Sequence, residues 1–223
     1  VAWNWKAGGP VVSNTDGTIT SSVSANKEAG FSIVKWEGTD AIATVGHGLS
    51  AKPQLILFKA TAANNNWGVY NEAITATKFL ILNTSASAAN SSTAFNNTEP
   101  TSSVISVGTS GSFNRSGGMI AYCFTSIPGY QRIGNYAGSN SSQTIITNFA
   151  PGFVLIKTTS SEWWNIVDNK RNGTQTQRIF ANSANAESVA SNDVILTSNG
   201  FTVVGANGSL NNSGQDFIFL AIA

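Results

Sequence analysis

The stretch Pro53-Gln-Leu-Ile-Leu-Phe-Lys59 recurs 98 residues later as Pro151-Gly-Phe-Val-Leu-Ile-Lys157. Each copy is a short, almost wholly apolar run closed by a lysine, which is typical of a buried β-strand. Similar runs rich in Val, Ile, Phe and Trp follow one another about every ten residues, separated by Gly, Asn, Ser and Pro. The pattern therefore predicts an all-β chain in which one set of strands occurs twice.

Further matches surround this stretch at nearly the same spacing. The paired segments are 33–38 with 133–138, 67–71 with 164–168, 107–117 with 204–214, and the closing run 120–124 with 217–221. The closing runs also resemble Val1-Ala-Trp-Asn-Trp5. Residues 1–7 are therefore predicted to form a strand, either the last strand of a preceding repeat or one that completes the first full unit.

These matches divide the chain into three parts. Residues 1–29 are predicted to hold that end strand and a linker hairpin, 30–127 a first repeat and 128–223 a second. Repeats of about 95 residues with short strands and frequent turns favour β-sandwich or jelly-roll-like units. Two Ala-rich segments, 85–92 and 184–190, are the best candidates for short helices.

Uncharged polar residues dominate the composition. Ser, Thr and Asn supply 75 residues, whereas only 23 are charged and the net charge is +1. A nucleic-acid partner is not expected, because such proteins carry a basic stripe. A membrane span is not expected either, since no apolar run approaches about 18 residues. An apolar fraction of 41% is too high for a disordered chain.

The chain is poor in residues that carry chemistry. Cys123 lies in an apolar run and is interpreted as a structural thiol, while His47 lies in a Gly-rich turn as a surface or turn-stabilising residue. Glu162 and Asp168 are the nearest thing to a glycosidase pair, but isolated surface carboxylates explain them better. We therefore expect no enzyme, no cofactor and no metal centre.

A loop calcium ion is the one alternative considered for a metal. The segments 14–17 and 211–216 contain Asn and Asp, the residue types that supply oxygen ligands to calcium. Neither segment has a dense run of alternating acidic residues, so hairpin turn chemistry is the preferred interpretation.

Two adjacent tryptophans are the main candidates for ligand binding. Trp164 matches Trp67 in the repeat and both are predicted to be buried, so alternation along the strand turns Trp163 outward. Sugar rings stack on exposed indoles, and Asn165 and Glu162 are the predicted polar neighbours of such a glycan. The alternative is that Trp163 is covered by a neighbouring unit or subunit.

Four motifs carry a resemblance to a known family. They are Val1-Ala-Trp-Asn-Trp-Lys-Ala-Gly-Gly9, Ser13-Asn-Thr-Asp-Gly-Thr-Ile-Thr20, Ala43-Thr-Val-Gly-His-Gly-Leu49 and Ile120-Ala-Tyr-Cys-Phe124. The chain resembles a repeat domain of uncharacterised function common in tail-fibre-like and other virion-associated proteins of marine and cyanobacterial bacteriophages. The resemblance implies a virion or extracellular location, other virion proteins as partners and, by analogy with fibres, a homo-oligomer with a trimer favoured.

The second repeat departs from the first at one of these motifs. It has Thr147-Asn-Phe149 where the first has Gly46-His-Gly-Leu49, which favours a structural role for the Gly-His-Gly turn.

The leading functional hypothesis is a phage tail-fibre or appendage module. Such a module either contacts the host surface by glycan-directed adhesion or spaces a distal domain toward that surface. The alternative is a purely structural virion decoration or filament-building repeat without a ligand. A degradative enzyme ranks third because acidic residues are scarce.

Overall fold

Antiparallel strands form nearly all of the regular structure in the computed structural model, which describes residues 4–171, 177–187 and 193–223. The all-β prediction is therefore confirmed. The chain divides into unit one, Asn4–Leu82 with Ala88–Thr125, and unit two, Ser126–Ala223 with Asn83–Ser87. Within the described residues, no helix has the length and apolarity needed to cross a membrane.

Unit one contains a larger sheet and a two-stranded one. The larger sheet has the order β1-β2-β3-β10-β5-β6-β7-β8, and β4 pairs with β9. The strands are β1 Val12–Asn14, β2 Ser21–Asn26, β3 Phe31–Gly38, β4 Ala43–Gly46, β5 Leu55–Ala60, β6 Gly68–Asn71, β7 Lys78–Ile81, β8 Ala89–Asn90, β9 Val104–Val107 and β10 Gly117–Phe124. Its short helices are the 3-10 turn Glu72–Ile74, α1 Ser92–Phe95 and α2 Gly111–Asn114.

Unit two repeats the central part of this arrangement. Its larger sheet has the order β11-β18-β13-β14-β15 and follows β3-β10-β5-β6-β7 strand for strand. Its smaller sheet has the order β12-β17-β16, in which β12 and β17 correspond to β4 and β9, and β16 is an additional strand. The strands are β11 Gln131–Ala137, β12 Gln143–Ile146, β13 Phe153–Thr158, β14 Asn165–Asp168, β15 Ile179–Phe180, β16 Val194–Thr197, β17 Gly200–Val203 and β18 Asp216–Ile222.

Each unit has a core to which both of its sheets contribute. In unit one, Val34 and Phe58 of the larger sheet join Ile105 of β9 in one buried cluster. In unit two, Phe219 of β18 joins Phe201 of β17, with ring centroids 5.2 Å apart. Alternate residues of each strand supply these clusters, as expected for strands that present one face to a core.

The register of the closing strands differs from the sequence alignment by one residue. Lys59 pairs with Ile120 in unit one, and its counterpart Lys157 pairs with Ile218 in unit two. Ile120 therefore corresponds to Ile218, and the predicted match with Phe217 is wrong. A slip of one residue exchanges the two faces of a strand, so only the observed register places Phe217 in the core.

The strand predicted over residues 1–7 is absent from residues 4–7, and residues 1–3 lie outside the described part of the chain. Side chains of β2, rather than a backbone ladder, attach this segment. Asn26 Nδ2 donates to the carbonyl of Lys6 at 3.2 Å, and Ser24 Oγ donates to that of Gly9 at 2.9 Å. Next along the chain, β1 and β2 form a hairpin, which continues the larger sheet by pairing with β3.

In unit two, backbone groups at the equivalent edge of the sheet form hydrogen bonds without a hairpin. The backbone of Gln131 in β11 exchanges hydrogen bonds of 2.8 and 3.0 Å with Ile127. The amide of Ile133 donates to Ser126 Oγ at 3.0 Å. The turn that precedes β11 thus takes over part of the role that β2 has beside β3.

A buried asparagine fixes the loop after β3. Asn114, at the end of α2, accepts a hydrogen bond from Trp36 Nε1 at 3.1 Å and donates to the carbonyl of Ala41 at 2.6 Å. Its own carbonyl accepts from the amide of Asp40 at 2.8 Å. Asp40 has a φ of 53°, a left-handed conformation that these hydrogen bonds help to hold.

Unit two has the same device. Asn211 is completely buried, accepts from Gln143 Nε2 at 2.7 Å and donates to the carbonyl of Ser141 at 2.7 Å. Its carbonyl accepts from the amide of Asn140, which again has a positive φ, 59°. This side chain has a structural role within the 211–216 segment that was considered for calcium.

The predicted helix over 85–92 is wrong, because helix α1 begins only at Ser92. Ser91 precedes it as the N-cap, and its Oγ accepts a hydrogen bond from the amide of Thr93 at 3.2 Å. Of the second candidate, residues 184–187 are not helical and 188–190 lie outside the described residues. Alanine content alone does not sustain a helix this short.

His47 stabilises a turn from a completely buried position. Its Nδ1 accepts a hydrogen bond from the amide of Leu49 at 3.2 Å, so Nε2 carries the proton toward the carbonyl of Thr101 at 3.3 Å. Burial lowers the pKa of His47 to about 4, although the Thr101 contact and the charge of Asp16 oppose the shift. Of the two sequence interpretations, the structure agrees with the turn-stabilising one.

Acid is expected to destabilise the protein through His47. Its folded pKa lies below the unfolded value of 6.5, so the unfolded chain takes up the proton first and stability falls as the pH drops from 6.5 to 4. The loss approaches about 3 kcal/mol. Urea unfolding at several pH values measures it.

His47→Thr, which introduces the residue that unit two has at position 147, is the matched control. It should flatten the pH dependence in this window. An unchanged slope in this variant would show that another group titrates there.

Candidate ligand-binding site

Trp163 and Trp164 lie on the loop that joins β13 to β14. Trp164 is buried, with 1% of its surface exposed, whereas Trp163 is 36% exposed. The amide of Trp164 donates to Asn182 Oδ1 at 2.9 Å, which fixes the loop at this point. The two indoles therefore differ in exposure as alternation along the chain predicts.

Trp163 packs on an aromatic neighbour that is distant in the sequence and was not predicted. Its ring centroid lies 5.2 Å from that of Phe180 in β15, with the planes tilted by 46°. The guanidinium carbon of Arg178 lies 5.8 Å from the centroid of the Phe180 ring. These three side chains form what we call the Trp163 surface.

Asn165 holds this surface from inside the protein. It is completely buried, and its Nδ2 donates to the carbonyls of Trp163 and Ser209 at 3.0 and 3.1 Å. Its Oδ1 accepts from Arg178 Nη1 at 3.0 Å. Asn165 thus positions Trp163 and Arg178. The sequence led us to expect its amide at the exposed surface, but the amide lies inside the protein.

Arg178 is 7% exposed and is the most polar member of this buried network. Its Nη2 forms an ion pair with Asp193 at 2.8 Å, and its Nη1 also donates to Ser209 Oγ at 3.3 Å. Its Nε has no hydrogen-bond partner among the described residues. Burial lowers the pKa of Arg178, with the Asp193 charge acting against the shift.

Unit one is apolar at the equivalent place. Phe79 occupies the position of Arg178, and its ring centroid lies 5.5 Å from that of Phe113. Gly68 occupies the position of Asn165, where a Cβ would lie 2.4 Å from the Phe113 ring. In the sequence, the only sign of this network is that an arginine, Arg178, matches an apolar residue, Phe79, in the repeat.

Glu162 is half-buried and points toward the turn after β17. A Cβ built on Gly208 would lie 3.2 Å from Glu162 Oε1, so the carboxylate sits against that glycine. The charge of Glu162 also acts on the buried Lys157, whose pKa is lowered to about 8 by burial despite this attraction.

The lysines near the ends of β5 and β13 turn their ammonium groups back into the protein. Lys157 is completely buried and its Nζ donates to the carbonyls of Thr158 and Ser160 at 2.7 and 2.6 Å. Lys59 likewise donates to the carbonyl of Asn65 at 2.8 Å. Each lysine folds back because the following loop offers several carbonyls at close range, and it thereby fixes that loop.

Trp67 departs from the prediction that it is a buried counterpart of Trp164. It is half-buried, and its ring stacks on Tyr122 with centroids 6.2 Å apart and planes 21° apart.

Asp168 forms an ion pair with Arg171. Its Oδ2 accepts from Arg171 Nε at 2.6 Å, and Arg171 continues to Glu187 at 2.6 Å. Burial opposes ionisation, yet the hydrogen bonds from Arg171 and Lys170 hold the pKa of Asp168 below its usual value. In the ranges that the structure describes, no three His, Cys, Asp or Glu side chains cluster as metal ligands.

A family model described as a domain of unknown function (DUF7483) matches residues 1–223. No curated protein and no solved structure matches the chain.

Proposed function

The chain belongs to the DUF7483 family, a domain of unknown function, and from the Trp163 surface we propose that it is a non-enzymatic adhesion module that contacts glycan. In this proposal it belongs to a phage tail fibre or appendage at the virion surface and works together with other virion proteins, as a trimer.

The exposed indole of Trp163 carries the proposal. It packs on Phe180 at 5.2 Å, and its backbone is held by Asn165 from the interior. A ring fixed in this way loses little conformational freedom when a sugar stacks on it, and such pre-organisation favours binding. Exposed side chains of Ser, Thr and Asn around a ligand can hydrogen-bond its hydroxyls without salt-sensitive charge pairing.

The state of the carboxylates supports adhesion over glycan cleavage. A glycosidase needs one carboxyl group kept protonated by a raised pKa. Hydrogen bonds instead hold the pKa of Asp168 low despite its burial, and the same holds for Glu72 beside Gln54 and Lys52. These groups are ionised partners in structural networks.

A purely structural role is the second candidate, favoured by the hairpin. Val11, which precedes β1, and Val12, its first residue, are 66% and 60% exposed, and β1 is an edge strand of the larger sheet. An apolar strand at a sheet edge is a common route to association between copies. In this candidate the repeat builds a filament or decorates the virion without a ligand.

Trp163→Ala is expected to weaken glycan binding by roughly 5- to 30-fold, because stacking on one aromatic ring contributes about 1–2 kcal/mol. Binding of the labelled chain to an array of bacterial envelope oligosaccharides measures the effect.

Trp163→Phe should retain part of the binding, since it keeps an aromatic face. Binding that is equal in all three proteins would remove the indole from the proposal. Absence of binding to any array member by the unsubstituted chain would favour the structural role.

A further inference from the structure

We infer that unit one carries a second binding site, a groove for a neutral sugar that is separate from the Trp163 surface. The groove has a volume of about 300 Å³, and its lining includes Ser22, Lys35, Glu37, Thr61 and Gly118. These residues come from β2, β3, β10 and the residue after β5. On β3, the alternating residues Val34 and Trp36 face the core, so Lys35 and Glu37 project from the opposite face.

Gly118 keeps the groove open. Its carbonyl accepts from the amide and the Oγ1 of Thr61 at 2.8 and 2.9 Å, which draws Thr61 across the strand. A Cβ at position 118 would lie 2.4 Å from Thr61 Oγ1, so a side chain here would displace this threonine. The missing side chain leaves room for a ligand above the backbone of β10.

The groove contains one lysine and one glutamate whose charged groups are available to a ligand. Lys35 and Glu37 are both exposed, and among the described residues neither side chain forms an ion pair or hydrogen bond. An ammonium group only donates hydrogen bonds and a carboxylate only accepts them, whereas a sugar hydroxyl does both. Neighbouring hydroxyls of one sugar can therefore bridge the two charges, with Ser22 at the side of the groove.

The charge balance favours a neutral sugar over an acidic one. Glu37 would repel the carboxylate of a uronic acid, and Lys35 is the single cation among the lining residues. A phosphate or a nucleic acid would need more positive charge than this groove supplies.

Unit two provides an internal comparison. The strand pairing places Asn135 and Ala137 at the positions of Lys35 and Glu37, and Asp216 at that of Gly118. The larger sheet of unit two begins at β11, so no hairpin supplies a counterpart of Ser22. The combination of opposite charges, hydroxyls and an open glycine is thus found in unit one only, within the described residues.

The test is an NMR titration of the full, isotope-labelled chain with the methyl glycosides of glucose, galactose and mannose. At least one should shift the amide signals of Gly118 and Glu37, whereas methyl glucuronide should bind about tenfold more weakly or not at all. The double variant K35N/E37A carries the unit-two residues and should lose these shifts. Because both positions are exposed, its remaining spectrum should match that of the unsubstituted chain.

Two single variants test the location of the groove and the part that Glu37 has in it. Trp163→Ala should leave the shifts at Gly118 unchanged, so failure of glycan binding at the Trp163 surface and failure here are distinguishable. Glu37→Gln should bring the affinity for methyl glucuronide close to that for the neutral glycosides. The inference is overturned if no neutral glycoside shifts Gly118, if K35N/E37A responds like the unsubstituted chain, or if methyl glucuronide binds as tightly.

Discussion

Trp164→Ala is expected to lower the free energy of unfolding by about 3–5 kcal/mol, the cost typical of removing a large buried aromatic side chain. Trp164 is 1% exposed, so its loss leaves a cavity that neighbouring side chains fill only in part. The loop it belongs to is tied to Asn182 through the backbone and would not collapse freely into the space. Urea denaturation of the two proteins at neutral pH measures the difference.

Trp163→Ala is the adjacent control and should cost within about 1 kcal/mol. Its side chain is 36% exposed, and its ring packs on that of Phe180. Trp67→Ala should fall between the two, since that ring is half-buried and stacked on Tyr122. Equal destabilisation by the substitutions at 163 and 164 would mean that Trp163 is a structural residue, and the proposed glycan surface would lose its main residue.

Asn114→Ala should destabilise the protein by roughly 3–4 kcal/mol, and Asn211→Ala by a similar amount. The substitution at 114 removes the acceptor for Trp36 Nε1 and the donor for the carbonyl of Ala41. Buried groups left without partners cost more than the hydrogen bonds themselves contribute. Parallel urea denaturation of both variants is the measurement.

Asn64→Ala, at an exposed position of unit one, is the control and should change stability by less than about 0.5 kcal/mol. If Asn114→Ala behaved like this control, the loop after β3 would be held by its own backbone. A large effect at 114 together with none at 211 would show that the two units use their matching asparagines differently.

The wrong alignment of the closing strand shows where a repeat pattern stops being informative. Every position in 120–124 and in 217–221 is apolar or aromatic. Hydrophobicity therefore fits two registers of the alignment equally well. Pairing with β5 and β13 selects the observed register, in which Ala121 and Phe219 are equivalent core residues. The choice depends on which face meets a core, and that is a property of the packed sheet.

Only part of the candidate site was predictable, because some of its features are local in the sequence and others depend on packing. The outward turn of Trp163 followed from its place beside Trp164, because alternation is a local property of an extended chain. Its contact with Phe180 and the burial of Asn165 depend on β15 and on the turn at Ser209, which lie 15 or more residues away along the chain. Lys157 likewise turns inward because carbonyls of the next loop surround its ammonium group.

The sequence by itself determined the all-β class and the recurrence of the strand-forming segments, because alternating apolar residues and turn residues act over a few neighbouring positions. It did not determine the register of the closing strands, the burial of His47 or the polar network around Arg178. Those depend on segments that come together only in the folded chain, where burial makes each unpaired polar group costly and so selects the partners that are observed.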